Sequence, residues 1–161
     1  HIEIASDNKK LQYELIKLKK ILNDANINCK IINNEKNLIW RKLIRLSAIS
    51  TITSLSNSTL GIARSTEPYK SILKDLIKEL CLIAALDNSY FNEQEIIKTI
   101  YSLPEDLKTS MQNDINSNKP SELNFIVREP IILGKSLNLE LPILQSCYNS
   151  LKVLKPNFTN L

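Results

Sequence analysis

One stretch constrains this chain more than any other: Asn34 to Gly61, NEKNLIWRKLIRLSAISTITSLSNSTLG. Its pattern predicts a single long helix that is apolar almost all the way round. Leu38, Ile39, Trp40, Leu43, Ile44, Leu46, Ile49, Ile52 and Leu55 leave no solvent face wide enough for a surface helix. Such a helix is buried, with other helices packed around it. Lys42 stands inside it. At 100° per residue Leu38, Ile39, Leu46 and Ile49 lie close to it in angle, so its neighbours are mainly hydrocarbon. A lysine trapped there is desolvated and loses part of its pKa. The alternative is a lysine that extends its ammonium to water along its own stem. The second half of the stretch carries Ser47, Ser50, Thr51, Thr53, Ser54 and Ser56. Small hydroxyl residues let neighbours approach closely and can bond back to helix carbonyls, or they can line a polar cavity.

Glycine is the next constraint. There are two, Gly61 and Gly134, and neither adjoins another glycine. Neither a GxGxxG turn nor a Walker loop can be present, so the chain holds no dinucleotide by the usual glycine-rich cradle. Its 161 residues suffice for one core. The net charge of +4 is dispersed along the helices and leaves no nucleic-acid footprint. Aromatic residues, 6% of the chain, are too few for base-stacking platforms. Cys29, Cys81 and Cys147 are widely spaced, and His1 is the one histidine, so a zinc ligand set is lacking. Buried, reduced thiols of a cytoplasmic protein are expected instead. No apolar run has membrane-spanning length, and the start has no signal-peptide pattern.

In chain order, Ile2 and Ile4 alternate with Glu3 as a short strand ending at Ser6–Asp7. Leu11, Leu15, Leu18, Ile21 and Leu22 recur at helical spacing. Cys29–Ile32 is a second strand-like stretch. Strand, helix and strand in about thirty residues make one βαβ crossover, as at the trailing end of a parallel sheet. Asn33 or Asn34 caps the long helix, and Gly61 closes it. A helix starts at Thr66-Glu67-Pro68, with Ile72, Leu73, Leu76, Ile77, Leu80 and Ile83 inward, and ends at Asp87-Asn88. Asn92-Glu-Gln-Glu95 is a capping box. Ser102-Leu-Pro-Glu-Asp restarts a helix through Leu107, Met111 and Ile115. Asn116 to Pro120 is a turn. Ser121-Glu122 opens another helix, which Pro130 should kink or locally break. Leu141-Pro142 starts the last one, and Lys155 to Leu161 should fray.

Three polar residues stand out. Lys42 sits on the central helix. Ser110 and Glu122 are twelve residues apart across a turn, so they can face one cavity. An amine donor, a hydroxyl and a carboxylate suit a small substrate bearing a carbonyl and hydroxyls. Ser110 can equally be a surface serine, and Glu122 a helix-start carboxylate held by the dipole.

The order Trp40-x-Lys42-Leu43, Gly61, Glu79, Ser110-Met111-x-x-Asp114-Ile115, Ser121-Glu122-Leu123 and Leu141-Pro142 resembles the C-terminal domain of the ketopantoate reductase (2-dehydropantoate 2-reductase) family. The resemblance runs from about Asn34 to Leu154. It implies a mainly α fold, a helical bundle of the 6-phosphogluconate-dehydrogenase C-terminal type. Residues 1–33 are then the trailing βαβ-like piece of a Rossmann domain that binds NADPH, and residues 34–161 the substrate-binding and catalytic domain. The implied reaction reduces a 2-oxo acid, 2-dehydropantoate, on the way to coenzyme A. Lys42 takes the place of the family's catalytic lysine, which protonates or polarises the carbonyl oxygen. Glu122 and Ser110 take the places of substrate-binding residues. Ser50 and Leu46 stand where many members carry asparagines, Ser50 being kept as a substrate contact, and Leu107 replaces another asparagine. The implied partners are the 2-oxo acid and the nucleotide-binding domain; pairing with a second copy as a homodimer is left open by the sequence. Without that cofactor domain the chain is expected to be inactive by itself. A different reading is a helical dimerisation or interaction module without chemistry.

Overall fold

The structure is a computed structural model and describes residues 2–154, so the tail expected to fray lies outside the described residues. The chain divides after Lys42 into two compact units. In the first, β1 (Ile2–Ile4) and β2 (Cys29–Ile31) pair in parallel, Ile2 opposite Cys29 and Ile4 opposite Ile31. The crossover is a 3₁₀ turn at Lys9–Leu11, whose Lys10 amide is capped by Asn8, followed by α1 (Gln12–Asp24). The apolar face expected to point inward on α1 is not buried. Leu11, Leu18 and Ile21 are 45%, 43% and 55% exposed, and no α1 residue is buried. Two three-residue strands offer too little surface to cover a thirteen-residue helix.

α2 spans Glu35–Ser56. Asn34 starts it, its side chain accepting the Asn37 amide at 2.9 Å. The all-round burial expected of this helix holds for its second half, where every residue from 47 to 54 is buried. Small side chains make that possible. Thr53 and Ser56 fold their hydroxyls back onto the carbonyls of Ile49 and Ile52 at 2.9 and 2.8 Å. In the first half Trp40 is buried but Leu43 is half-buried, and Ile39 is 57% exposed. The helix ends at Asn57, in the left-handed region at φ 46°, and not at Gly61. Gly61 lies within α3 (Leu60–Ser65), where a Cβ would sit 2.8 Å from the Glu105 Cβ and 2.9 Å from its carbonyl oxygen. With so few glycines, asparagine makes the reversals: Asn26, Asn34, Asn57, Asn88, Asn118 and Asn138 all have positive φ.

The second unit continues with α4 (Tyr69–Leu86), α5 (Glu93–Tyr101), α6 (Ser110–Asn116), α7 (Glu129–Ser136) and α8 (Pro142–Val153). α4 packs against α3, α5, α7 and α8, burying Leu73, Leu76, Ile77, Leu80 and Ile83 as its spacing requires. Asn92 caps α5 through the Gln94 and Glu95 amides. The helix expected to restart at Ser102 begins only at Ser110. The reason is tertiary: the carbonyls of Glu105 and Leu107 accept the Gly61 and Leu60 amides, which open α3. Pro130 is met by a local break. A π turn at Asn124–Arg128 widens the helix ahead of it, relieving the clash of a proline ring with the carbonyl four residues earlier.

Cys81 and Cys147 are buried on α4 and α8. Burial pushes both thiols from 9.0 up to about 11, with the negative charge of Glu93 adding to the first and that of Glu79 to the second. Both folded pKa values lie above the unfolded one. The stabilisation is therefore fully present below pH 9.0 and is lost as pH rises toward about 11. Urea melts between pH 8 and 11 should show stability falling over that window. Replacing both cysteines by alanine should flatten that part of the profile, and an unchanged slope would contradict the burial.

Candidate active site

Lys42 is exposed, so of the two readings its spacing allowed, the structure has the lysine that extends to water and not the one enclosed by hydrocarbon. The exposure of Ile39, three residues earlier and on the same side of α2, shows that this side of the helix is open. Ser50, two turns further on, is 1% exposed, and its hydroxyl has no hydrogen-bond partner among the described residues. Ser47, Thr51 and Ser54 are likewise buried, with hydroxyls that have no such partner among the described residues.

Ser110 is the first residue of α6 and is exposed. Its position is set by Thr109, which sequence reasoning missed. The Thr109 hydroxyl accepts the Gln112 amide at 3.2 Å and meets the Thr53 hydroxyl at 3.1 Å. Gln112 donates through its side chain to the Ser58 carbonyl at 3.0 Å, so α6 is laid along the end of α2. Thr53 is one turn beyond Ser50, which brings the starts of α6 and the Ser50 turn into one neighbourhood. The signal was present in the sequence as Thr109-x-x-Gln112, a capping-box pattern.

Glu122 is exposed just before the π turn, and its carbonyl accepts the amides of Phe125 and Ile126 at 3.0 Å each. The turn is tethered from α8, because the buried Tyr148 hydroxyl donates to Asn124 Oδ1 at 3.0 Å. That pair spans twenty-four residues and no local pattern announces it. π turns often occur at functional sites.

The first unit has its own hollow, of about 230 Å³, at the carboxyl ends of β1 and β2, bordered by Ser6, Asp7 and Asn33 among others. This is where an open parallel sheet places its ligand. The loop after β1 contains no glycine, and the Asp7 carboxylate accepts the Glu35 amide at 3.1 Å. A carboxylate in place of a ring of amides does not suit a pyrophosphate. Among the described residues no group of His, Cys, Asp and Glu could hold a metal ion, and no helix is long and apolar enough to cross a membrane.

Comparison with known proteins gives a consistent set of likenesses. Residues 34–155 match the family model described as ketopantoate reductase PanE/ApbA C terminal. A 2-dehydropantoate 2-reductase of Pyrococcus horikoshii is 28% identical over 129 residues, covering 78% of this chain and 42% of that protein. The chain thus spans about two-fifths of the length of the curated relatives it matches. Among solved structures, a dimeric ketopantoate reductase from Staphylococcus aureus superposes with a TM-score of 0.82 at 24% identity. That match covers 98% of this chain and 55% of the other. A D-mandelate dehydrogenase with NADH and anilino(oxo)acetate superposes with a TM-score of 0.86 at 16% identity, covering 94% and 65%. At these identities the two structures speak for the fold: the mainly α architecture is that of the C-terminal part of these reductases.

Proposed function

This chain belongs to the ketopantoate reductase family, as its C-terminal helical part, and from that premise we propose that it forms the substrate-binding and proton-donating part of an NADPH-dependent 2-oxo acid reductase. The substrate is 2-dehydropantoate or a related 2-oxo acid. The observation that carries the reading is the family match over residues 34–155, a range that contains exposed Lys42, Ser110 and Glu122. In this reading residues 1–33 are the last βαβ piece of a nucleotide-binding domain, and residues 34–161 the helical domain. The uncovered apolar face of α1 supports it, since further strands of such a sheet would bury that face.

The reducing equivalent comes from NADPH, held in this reading by the nucleotide-binding domain and not by this chain. The chain's own residues act on the substrate. The Lys42 ammonium hydrogen-bonds the carbonyl oxygen, stabilises the negative charge that gathers there, and gives up its proton. Glu122 and Ser110, both exposed, bind the substrate's hydroxyl and carboxylate ends, whereas Ser50 at 1% exposure has no open side to offer. A carboxylate that accepts hydrogen bonds before and during reaction lowers KM more than it raises kcat.

The test is steady-state kinetics of the full-length protein with NADPH and 2-dehydropantoate. Glu122→Ala should raise the KM for the 2-oxo acid by about tenfold to a hundredfold, the worth of one lost charge-assisted hydrogen bond. The KM for NADPH should stay near wild type. Absence of turnover on every 2-oxo acid tried, with a stable dimer in sedimentation, would favour the interaction-module reading instead.

A further inference from the structure

We propose that a hollow beside Arg64 is a second binding site, which takes the carboxylate or phosphate group of a small organic anion. It is independent of the catalytic reading. The hollow has a volume of about 530 Å³ and lies between α3, the end of α5 and the segment that follows α5. Among the described residues that line it Arg64 is the one cation, and it is only 7% exposed.

The guanidinium is fixed on one side. Nη1 donates to the carbonyls of Ile100 and Leu103, both at 3.0 Å, and so satisfies the end of α5. The guanidinium carbon is 5.4 Å from the Tyr101 ring centre, and the Tyr101 hydroxyl donates back to the Arg64 carbonyl at 2.8 Å. What remains is the edge made by Nε and Nη2. That edge is the fork whose two parallel N–H groups match two oxygens of a carboxylate or phosphate.

Among the described residues the ion-pair partner of this edge is Glu105, 3.6 Å from Nη2. That distance is too long for a good hydrogen bond. The Glu105 side chain is 87% exposed, so the pair is weak in water. A nearly buried cation therefore has a loosely held counter-charge. The backbone of Glu105 cannot drift away, because its carbonyl accepts the Gly61 amide at 2.9 Å and its Cβ fills the place of a Gly61 side chain. Its carboxylate can swing out and leave the fork to an incoming anion.

Two further features define the ligand. Thr59 lines the hollow and precedes α3, yet its hydroxyl caps none of the helix amides, the first two of which donate to the Leu107 and Glu105 carbonyls, so that hydroxyl is not used by the helix. Ile62, 55% exposed, supplies an apolar wall. A short hydrocarbon chain ending in a carboxylate or a phosphate ester satisfies the fork, the hydroxyl and the wall together.

Calorimetric titration of the protein with sodium butyrate and, separately, with inorganic phosphate tests this at constant ionic strength. Saturable one-to-one binding in about the millimolar range is expected for at least one of them. Butyrate alone would mark an organic acid as the ligand class, and phosphate alone a phosphate ester. Glu105→Gln removes the competing carboxylate and should tighten binding by about two- to fivefold. Arg64→Lys keeps the charge but loses the fork, and should weaken binding at least about tenfold. If Arg64→Lys proves too unstable to titrate, Glu105→Gln decides alone. No saturable binding of either anion, or a Glu105→Gln protein that binds no more tightly than wild type, would overturn the proposal.

Discussion

Replacing Lys42 by alanine in the full-length protein should lower kcat on the 2-oxo acid by about 10²–10⁴, the usual contribution of a positioned general acid. The KM for NADPH should hardly change. Reducing a ketone leaves its oxygen with a negative charge and in need of a proton, and an ammonium meets both needs. The exposure of Lys42 on α2 suits this role, because an amine reached by substrate must have an open side. Lys42→Arg separates the two contributions. A guanidinium keeps the charge but does not release a proton near neutral pH, so it should recover only a part of the lost rate. Arg41 is the control. It lies about 100° round the helix and pairs with Glu3 at 4.0 Å, so Arg41→Ala should leave turnover near wild type. Normal turnover by Lys42→Ala on its best substrate would remove the lysine from the mechanism.

How much of this was legible in the sequence depends on the range of the interaction that fixes each element. Starts and stops that rest on local chemistry could be read directly: an asparagine, Asn33 or Asn34, before α2, Asn92 before α5, the reversal around Asn118, and Pro142 at the start of α8. The break ahead of Pro130 follows from one missing N–H and one ring. The segment from Leu103 to Thr109 was misread as helix because its carbonyls serve α3, more than forty residues away in the chain. Periodicity finds the apolar side of a helix but not whether anything covers it. Hence the apolar stripe of α1 could be read but not that it lies open, and the spacing around Lys42 left both an enclosed and a solvent-extended ammonium, of which the fold has the second. The candidate site residues came from the order of short motifs, whereas the side chains that hold the surrounding elements, Thr109, Asn124 and Tyr148, act through contacts that only the fold creates.

Glu79 is the sharpest case of such a contact and should have the largest effect on stability. It is buried on α4, 7% exposed. α8 opens with Pro142, which has no N–H, and Leu141 before it offers no side-chain cap. The next two amides, of Ile143 and Leu144, would be orphaned. Glu79 accepts both, one with each oxygen, at 2.9 and 2.8 Å. A negative charge at a helix start is favoured by the dipole as well. Glu79→Ala removes two charge-assisted hydrogen bonds and strands two shielded donors, a loss of about 3–5 kcal/mol. At about 2–4 °C per kcal/mol for a chain of this size, the melting temperature should fall by roughly 6–20 °C. Glu79→Gln keeps one acceptor oxygen and should cost about 1–2 kcal/mol. Two local readouts separate loss of the cap from general loosening. Hydrogen exchange should accelerate at Ile143 and Leu144 before it does so along α4. The Cys147 thiol should titrate at a lower pH in Glu79→Gln, since the Glu79 charge is one cause of its raised pKa, while burial, the larger cause, still keeps it above 9.0. If Glu79→Ala cost less than about 1 kcal/mol, water would be replacing the carboxylate at the head of α8, and the link from α4 to α8 would rest on packing alone.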